Sequence, residues 1–424
     1  MKQAALHFGN SNKFESSDQI GFWLSILMLC LLPLERLMFP FNLKVADFAL
    51  VLLTLYGLGK AWRTHQRLNF PLLIPMWLIL LSSLVATLVG FAHSDSIIAI
   101  VQEVYLFVWF VVLTNILKAF SLSDLDRLIK IWSVIALAEA TTTLMGMLHI
   151  GPHIFYTEPG LERAVSSAEF GRAVGTYANS NAAAAYLSVS FFVLLATFWP
   201  IWLRSVFGMW LLAGIFGTGS VGALLSSISS LVLLTAIYSI IRNRQATILW
   251  GGIIGIGTGI IAAILFLLGL GSSLLPGTKF DKNKQLLALT VGRFPRSLAS
   301  RFSLIENAWS VYSLHPWGTG PNSSVSYLAT LHNDYIAFLF ERGPVGAIGW
   351  LWIVGSTFLA PLRAANQCPD RHQRWQILAL GAGFLACAMN ALTHEISHFR
   401  QVWVLMAFLF AASYAPSSQS MAST

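Results

Sequence analysis

Charged residues are scarce in this chain. Asp, Glu, Lys and Arg together make up 10% of its 424 residues, whereas hydrophobic residues make up 56%. A soluble globular protein carries roughly 25% charged residues, so the composition excludes an ordinary soluble protein. Ten-residue segments of alternating polarity are also lacking, which argues against a β-barrel. We therefore predict an all-α, polytopic integral membrane protein with helices of membrane-spanning length.

Cysteines are few as well. Of the three cysteines, Cys30 and Cys387 fall in apolar runs and Cys368 falls in a basic loop, so the sequence does not predict a disulfide framework. The net charge of +8 is accounted for by basic loops on the cytoplasmic side of a membrane. It does not require a nucleic-acid partner, and we predict none.

Long apolar runs predict about twelve transmembrane helices. Their centres lie near Met28, Leu52, Leu80, Val108, Ile135, Ser190, Leu212, Leu231, Gly259, Leu351, Phe384 and Phe408. Every second loop is basic, which puts both termini in the cytoplasm. The polar tail before Gln19 runs directly into the first apolar helix, so we predict no cleavable signal.

Three parts follow from this topology. Residues 1–270 hold helices one to nine, residues 271–343 form a large external loop that carries the candidate active site, and residues 344–424 hold helices ten to twelve. Within the loop, Leu304, Ala308, Trp309 and Val311 form a rough helical stripe. The HPWGTGPNSS run that follows is rich in Pro and Gly and ends that helix.

The stretch from Leu331 to Gly346, LHNDYIAFLFERGPVG, holds the most informative residues. An ionisable group at a membrane edge is costly, so His332 is a functional candidate. A neutral histidine is suited to general-base chemistry near neutral pH. If the segment is helical, Tyr335 lies one turn from His332 on the same face, and Asn333 serves as a cap or an orienting group.

Basic residues are concentrated on the predicted outer side. Between positions 279 and 306, only Asp281 and Glu306 oppose the cations Lys279, Lys282, Lys284, Arg293, Arg296 and Arg301. An arginine binds phosphate oxygens in a bidentate fashion and stays charged, so this loop is a candidate anion site. Arg172, in GRAVGTYANSNAAAAYL, is a second candidate. There, Gly175 and the stretch Asn179–Asn181 predict a tight turn followed by a capped helix start.

One further motif predicts different chemistry. His394, Glu395 and His398 spell HExxH, the zinc-binding pattern of a metalloprotease helix. A third ligand is not evident, and the motif falls at a helix boundary. We therefore predict neither a metal site nor a cofactor.

The His332 stretch resembles the O-antigen ligase and O-antigen polymerase superfamily. His332-Asn333, nine residues, then Gly343-x-x-Gly346 is similar to the superfamily's His-Asn-x9-Gly-x-x-Gly pattern. The preceding SRFSLIENAWSVYSLHPWGTGPN and the segment that begins at Gly171 are also similar to segments of that family. One departure concerns an arginine that members often carry at the outer end of helix seven. Here the corresponding place reads Gly217-Thr218-Gly219-Ser220-Val221.

The resemblance implies a metal-independent, inverting glycosyltransferase in the bacterial inner membrane. The donor would be a glycan on undecaprenyl pyrophosphate, and the acceptor would be a glycan or a lipid. His332 would be the catalytic base, and Asn333 and Tyr335 would bind substrate. Arg301 and Arg172 are the first choices for the pyrophosphate, followed by Arg293 and Arg296.

Two alternatives stay open. Within the enzyme class, the acceptor decides between a polymerase, which we favour slightly, and a ligase; a partner that regulates chain length is compatible with either. From a different class, a lipid-linked glycan flippase is the main alternative. It is disfavoured because the central parts of the spans are almost uncharged, and a transporter is expected to place charges there.

Overall fold

The computed structural model describes residues 15–39, 43–91, 93–148, 150–155, 173–242, 303–324 and 331–421. Over these ranges the regular secondary structure is α-helical, apart from a 3-10 turn at His153–Phe155 and a small antiparallel hairpin of β1 (Met38–Phe39) with β2 (Leu43–Lys44). The helices are α1 (Glu15–Leu31), α2 (Val45–Thr64), α3 (Leu73–Val89), α4 (His93–Lys118), α5 (Leu122–Met147), α6 (Ser180–Leu195), α7 (Ile201–Gly217), α8 (Val221–Arg242), α9 (303–312), α10 (Asp334–Gln367), α11 (Arg371–Asn390) and α12 (Arg400–Met421).

Every predicted helix centre that the structure describes falls inside a helix, and the predicted centre at Gly259 lies outside the described residues. Within the described part of the chain, five helices are long and apolar enough to cross a membrane. They are Val45–Thr64, Ser94–Lys118, Leu122–Met147, Val221–Tyr238 and Asp334–Gln367. The protein is therefore a helical membrane protein, and the number of twelve crossings stays a prediction.

The surface of the bundle is apolar where lipid would cover it. Trp62 is 84% exposed and Leu88 is 73% exposed, both on helices rather than in loops. At the centre, α6 is buried along most of its length, and its alanine run 182–185 keeps the neighbouring helices close. The indole of Trp132 in α5 donates to Ser190 Oγ of α6 at 2.9 Å. This bond satisfies the indole N–H in the interior of the bundle, where an unpaired polar group is costly.

Helix α10 is bent sharply at Gly343, which divides it into a first arm (334–342) and a second arm (344–367). Gly343 has φ 70° and ψ −175°, a conformation that a residue with a side chain rarely adopts. The rings of Phe338 and Trp350 stack at 4.8 Å, although a straight helix would separate them by about 18 Å. The first arm therefore folds back against the second.

The region before α10 contains α9, as the sequence predicted. Ala308 is buried, and it clusters with Ala337 and Phe340 of the first arm. The Tyr312 ring lies 5.2 Å from that of Phe340. Trp309, however, is 57% exposed. The stripe predicted from the sequence therefore coincides only in part with the face of α9 that packs against the first arm.

The bundle has two distinguishable ends. Helix α11 begins at Arg371 and ends at Asn390, so its ends lie about 28 Å apart. We call the end that holds residues 331–334 and the α11–α12 connection (391–399) the His332 end. The loop of Cys368, which the charge pattern predicts to be cytoplasmic, lies at the other end.

Candidate functional site

His332 lies just before the first arm of α10, not within it. Its φ is 51°, in the left-handed region that costs a non-glycine residue roughly 1–2 kcal/mol. The helix begins at Asp334, and the side chain of Asn333 caps it by accepting from Ile336 N at 3.2 Å. The predicted cap is therefore confirmed. The predicted helical pairing of His332 with Tyr335 is wrong, because the chain turns at His332 before the helix starts.

Asn333 and Tyr335 both bind the end of α11 and the connection that follows it. Asn333 Nδ2 donates to Leu392 O at 3.1 Å, and the Tyr335 hydroxyl donates to Ala388 O at 2.8 Å. Both side chains thus hold the start of the first arm against α11. This geometry suits residues that position His332.

Asp334 is the most tightly held residue of the motif and is only 1% exposed. One oxygen accepts from the backbone N–H groups of Ile396 and Ser397 at 2.8 and 2.9 Å. The other accepts from the Ser397 hydroxyl at 2.8 Å. Because three donors converge on one buried carboxyl group, the residue that follows Asn333 is clamped to the α11–α12 connection.

The HEISH motif lies in that connection and is not helical. The His394 ring lies 6.0 Å from the His332 ring in an edge-to-face arrangement. His394 is buried, whereas His398 is exposed. A zinc-protease motif needs both histidines on one helix face, and this connection does not supply that face. Its contact with His332 instead brings the motif into the candidate site.

A buried ionic network underlies the same region. Arg342, at the end of the first arm, donates from Nε to Glu103 Oε1 at 2.7 Å and from Nη1 to Glu341 Oε2 at 2.8 Å. Glu103 also accepts from Ser83 Oγ at 2.9 Å. The guanidinium lies 4.3 Å from the centre of the Phe338 ring. This network joins α3 and α4 to the arm, and it satisfies charges that would otherwise be costly to bury.

A second ion pair joins the start of α12 to α2. Arg400 at the start of α12 donates to both carboxylate oxygens of Asp47, at 2.5 and 2.6 Å. Tyr105 donates to the same carboxylate at 3.0 Å. Arg342 and Arg400 are thus both engaged with carboxylates of the protein itself.

The Pro- and Gly-rich loop after α9 docks on the bend in α10. Thr319 N donates to Phe340 O, and Gly320 N donates to Glu341 O, both at 3.0 Å. A side chain at position 343 would meet Trp317 O at 2.8 Å. The run around Gly318 and the Gly-x-x-Gly run are therefore in contact in space, although the sequence separates them by more than twenty residues.

Arg172, Arg293, Arg296 and Arg301 lie outside the described residues. The turn after Arg172 is described, and the predicted features are present there. Gly175 has φ 59°, and Asn179 caps α6 by accepting from Ala182 N at 2.7 Å. Thr176 N donates to Glu139 Oε1 at 3.1 Å. Glu139 of α5 thus holds this turn.

The segment that lacks the family's helix-seven arginine also lies at the His332 end. Residues 217–221 join α7 to α8, and Gly219 has φ 66°. A side chain on Gly222 would meet Thr393 Oγ1 at 2.4 Å, so the α7–α8 turn packs against the connection just before His394.

An apolar groove of about 300 Å³ opens next to the site. It lies between α10 and α11 and is lined by Tyr335, Val354, Gly355, Phe358, Phe384, Leu385, Ala388, Met389 and Leu392. Tyr335 and Leu392 also contact the His332 motif, as described above. The groove therefore leads from the site towards the middle of the bundle.

Sequence reasoning missed Asp334, Arg342 and the place of Glu395 in this site. The local pattern does not distinguish Asp334 from other acidic residues, and HEISH by itself indicates only an incomplete metal-binding motif. One signal was available: a basic and an acidic residue at predicted span ends, Arg342 and Glu103, favour pairing across helices. Their separation in sequence hid the contact.

Comparison with known proteins agrees with these observations. A family model described as O-antigen ligase matches residues 206–351, which run from α7 into the second arm of α10 and include His332. None of the curated proteins compared with the chain matches it. The resemblance to the O-antigen ligase and polymerase superfamily is thereby confirmed over residues 206–351 of this helical membrane protein, which match the O-antigen ligase family model.

Proposed function

We propose that this protein transfers a glycan from undecaprenyl pyrophosphate to an acceptor hydroxyl, at the outer face of the bacterial inner membrane. The observation that carries the proposal is the geometry of His332. This partly exposed histidine is held in a left-handed conformation just before a helix start, two residues before the buried and clamped carboxyl group of Asp334. Such backbone strain is typical of functional sites.

In the proposed reaction His332 is the catalytic base. It takes the proton from the acceptor hydroxyl while the acceptor oxygen bonds to the anomeric carbon of the donor. The bond from that carbon to the pyrophosphate oxygen breaks, and the electron pair leaves with the pyrophosphate. A single in-line displacement inverts the anomeric centre. Asn333 and Tyr335, proposed from the sequence to bind substrate, are proposed here to hold His332 in place as well.

The pyrophosphate is assigned to Arg301 and Arg172, with Arg293 and Arg296 as second choices. Arginines can neutralise the leaving group without a metal ion. Arg342 and Arg400 are weaker choices because the carboxylates of Glu103, Glu341 and Asp47 already neutralise them. The fixed turn after Arg172 supports a role for that residue.

The lipid chain of the donor is assigned to the groove between α10 and α11. Its walls are almost entirely apolar, and its mouth adjoins His332 through Tyr335 and Leu392. A polyprenyl chain in this groove would leave its pyrophosphate at the membrane edge, next to the catalytic base. The acceptor, a glycan or a lipid, would approach from the exposed side of His332.

The remaining assignments follow the charge pattern and the family. We assign the protein to the inner membrane, with both termini in the cytoplasm and with residues 271–343 as the external part between the helices of 1–270 and those of 344–424. Membrane lipids surround it. The branch, polymerase or ligase, is left to experiment, as is a partner that sets chain length.

The test uses a deletion strain that carries the wild-type gene, His332→Ala or His332→Gln, at matched membrane levels. Removing a general base typically costs roughly 10²–10⁴-fold in rate, so both variants should lose long or surface-attached glycan on a gel. His372→Ala is the control, because His372 is exposed at the opposite end of the bundle.

The accumulated intermediate then identifies the branch. Single repeats on lipid indicate a polymerase, and long chains held on undecaprenyl pyrophosphate indicate a ligase. If the His332 variants make the same glycan as wild type, the transferase proposal is wrong. That result would favour a flippase, since a transporter does not need a base at this position.

A further inference from the structure

Glu395 lies beside His332 and has no part in the proposed reaction so far. It belongs to the α11–α12 connection and directly precedes Ile396 and Ser397, whose backbone N–H groups bind Asp334. The clamp on Asp334 thus fixes Glu395 as well. Asp334 binds the connection from helix α10, whereas Glu395 binds His332 from the connection.

The carboxyl group of Glu395 accepts the backbone N–H of His332. Its atom Oε1 is buried and has no hydrogen-bond partner among the described residues. An unsatisfied buried polar atom is unfavourable in a native structure and calls for an explanation. Because the carboxyl group binds the backbone of His332 itself, it lies close to the residue that carries the imidazole.

The groups that face Glu395 explain its protonation. Asp334, Glu341 and Arg342 face it from α10, and His332 faces it from the segment before that helix. His394 adjoins it on its own connection. Burial, together with the charges of Glu341 and Asp334, raises the pKa of Glu395 to about 8, against the opposing effects of the His332 N–H and Arg342. Near neutral pH the group is therefore mainly a neutral acid.

We propose that Glu395 is a positioning residue that holds His332 and balances the charge that His332 acquires during transfer. This inference rests on the proposed function. When His332 takes the acceptor proton, an imidazolium forms at a poorly solvated membrane edge. Glu395 then releases its own proton to water, and its carboxylate offsets the new positive charge. When the imidazolium later loses its proton, Glu395 takes one up again.

The test compares Glu395→Gln and Glu395→Asp with wild type in membranes that contain their own lipid-linked glycan. Gln keeps an oxygen for the His332 N–H but cannot ionise. We expect Glu395→Gln to lower the rate of glycan transfer at pH 7 at least about tenfold and to remove an inflection near pH 8 from the pH–rate profile. Glu395→Asp should restore part of the rate. Glu306→Gln, the same change at an exposed position on α9, should leave both rate and profile unchanged.

Thermal unfolding of the purified proteins separates this role from a structural one. Folding raises the pKa of Glu395 from 4.5 to about 8. Its contribution to stability is therefore fully present below about pH 4.5 and is lost as the pH rises through about 8. The melting temperature of wild type should fall over this range more than that of Glu395→Gln.

Three results would overturn the inference. The first is an unchanged rate and profile in Glu395→Gln while His332→Ala is inactive, which leaves the transferase proposal intact. The second is a lower rate in Glu395→Gln with an unshifted pH profile and a lower melting temperature at every pH, which indicates a structural role only. The third is full activity in both Glu395→Gln and His332→Ala, which also removes the proposed function.

Discussion

At the scale of single residues, Asp334 does more to build the site than its position in the sequence suggests. Its carboxyl group receives three hydrogen bonds from the α11–α12 connection, while its neighbour His332 stays partly exposed. Asp334 therefore anchors the segment to the α11–α12 connection, and His332 supplies the reactive group. The arrangement holds His332 precisely without covering it.

A graded series at Asp334 tests this division. In Asp334→Asn, one oxygen still accepts from both backbone N–H groups, and the amide nitrogen can donate to the Ser397 hydroxyl. In Asp334→Ala, buried donors are left without partners, at about 1–3 kcal/mol for each group. We therefore expect Ala to lower the melting temperature and glycan transfer much more than Asn does. Equal effects of the two variants would show that charge, not hydrogen bonding, is what matters.

The sequence was sufficient to propose His332 as a candidate, because an ionisable group near lipid stands out from an apolar background. It was not sufficient to select Glu395. That residue lies more than sixty positions along the chain, and only the packing of the α11–α12 connection against residues 332–334 brings it to His332.

At the scale of elements, the bend in α10 is the feature that shapes the site. It turns the first arm back against the second, and Arg342 at the end of the first arm pairs with Glu103 and Glu341. Gly343 permits the bend, and Pro344 is suited to begin the second arm, because its fixed φ is helical and it needs no N–H partner in the first turn. The Pro- and Gly-rich loop packs against the bend and leaves no room for a side chain.

Gly343→Ala should therefore be destabilising. The left-handed conformation at this position costs a residue with a side chain about 1–3 kcal/mol, and the added methyl group would lie 2.8 Å from Trp317 O. We expect a lower melting temperature and reduced glycan transfer. Gly59→Ala, on an exposed face of α2 where an added methyl group meets nothing within 4 Å, is the control and should be neutral or slightly stabilising. If the two variants melt alike, the bend does not depend on glycine.

Hydropathy alone was enough to locate the helices, since each must present about twenty apolar residues to lipid. It was not enough to predict the fold-back of the first arm. Residues 334–342 continue the helical pattern, and only the contact of Phe338 with Trp350 reveals their direction.

At the scale of the whole molecule, the apolar groove extends from Tyr335 and Leu392 along α10 and α11. The short turn between α10 and α11 lies at the end of the bundle opposite His332. At the His332 end the groove therefore forms only when the two helices pack against each other. Its wall contains Gly355, around which a side chain would meet nothing within 4 Å. A larger residue at this position would project into open space instead of disturbing the bundle.

Gly355→Leu is accordingly expected to obstruct the groove. If the lipid chain of the donor lies there, glycan transfer should fall several-fold while the melting temperature stays near that of wild type. The matched control is Gly59→Leu, at an exposed position of α2. A Cβ atom added there would also meet no other atom within 4 Å. Unchanged transfer in Gly355→Leu would place the lipid chain elsewhere. Radiolabelled lipid-linked glycan in membranes provides the measurement.

The sequence by itself determined the class of this protein, the positions of its helices and the histidine at its membrane edge. These follow from local properties: apolar length, turn residues and a charged group where charge is costly. The tertiary structure alone decided what surrounds that histidine. The α11–α12 connection brings Glu395 to it through contacts between distant segments, and such contacts depend on how helices pack, which local pattern does not encode.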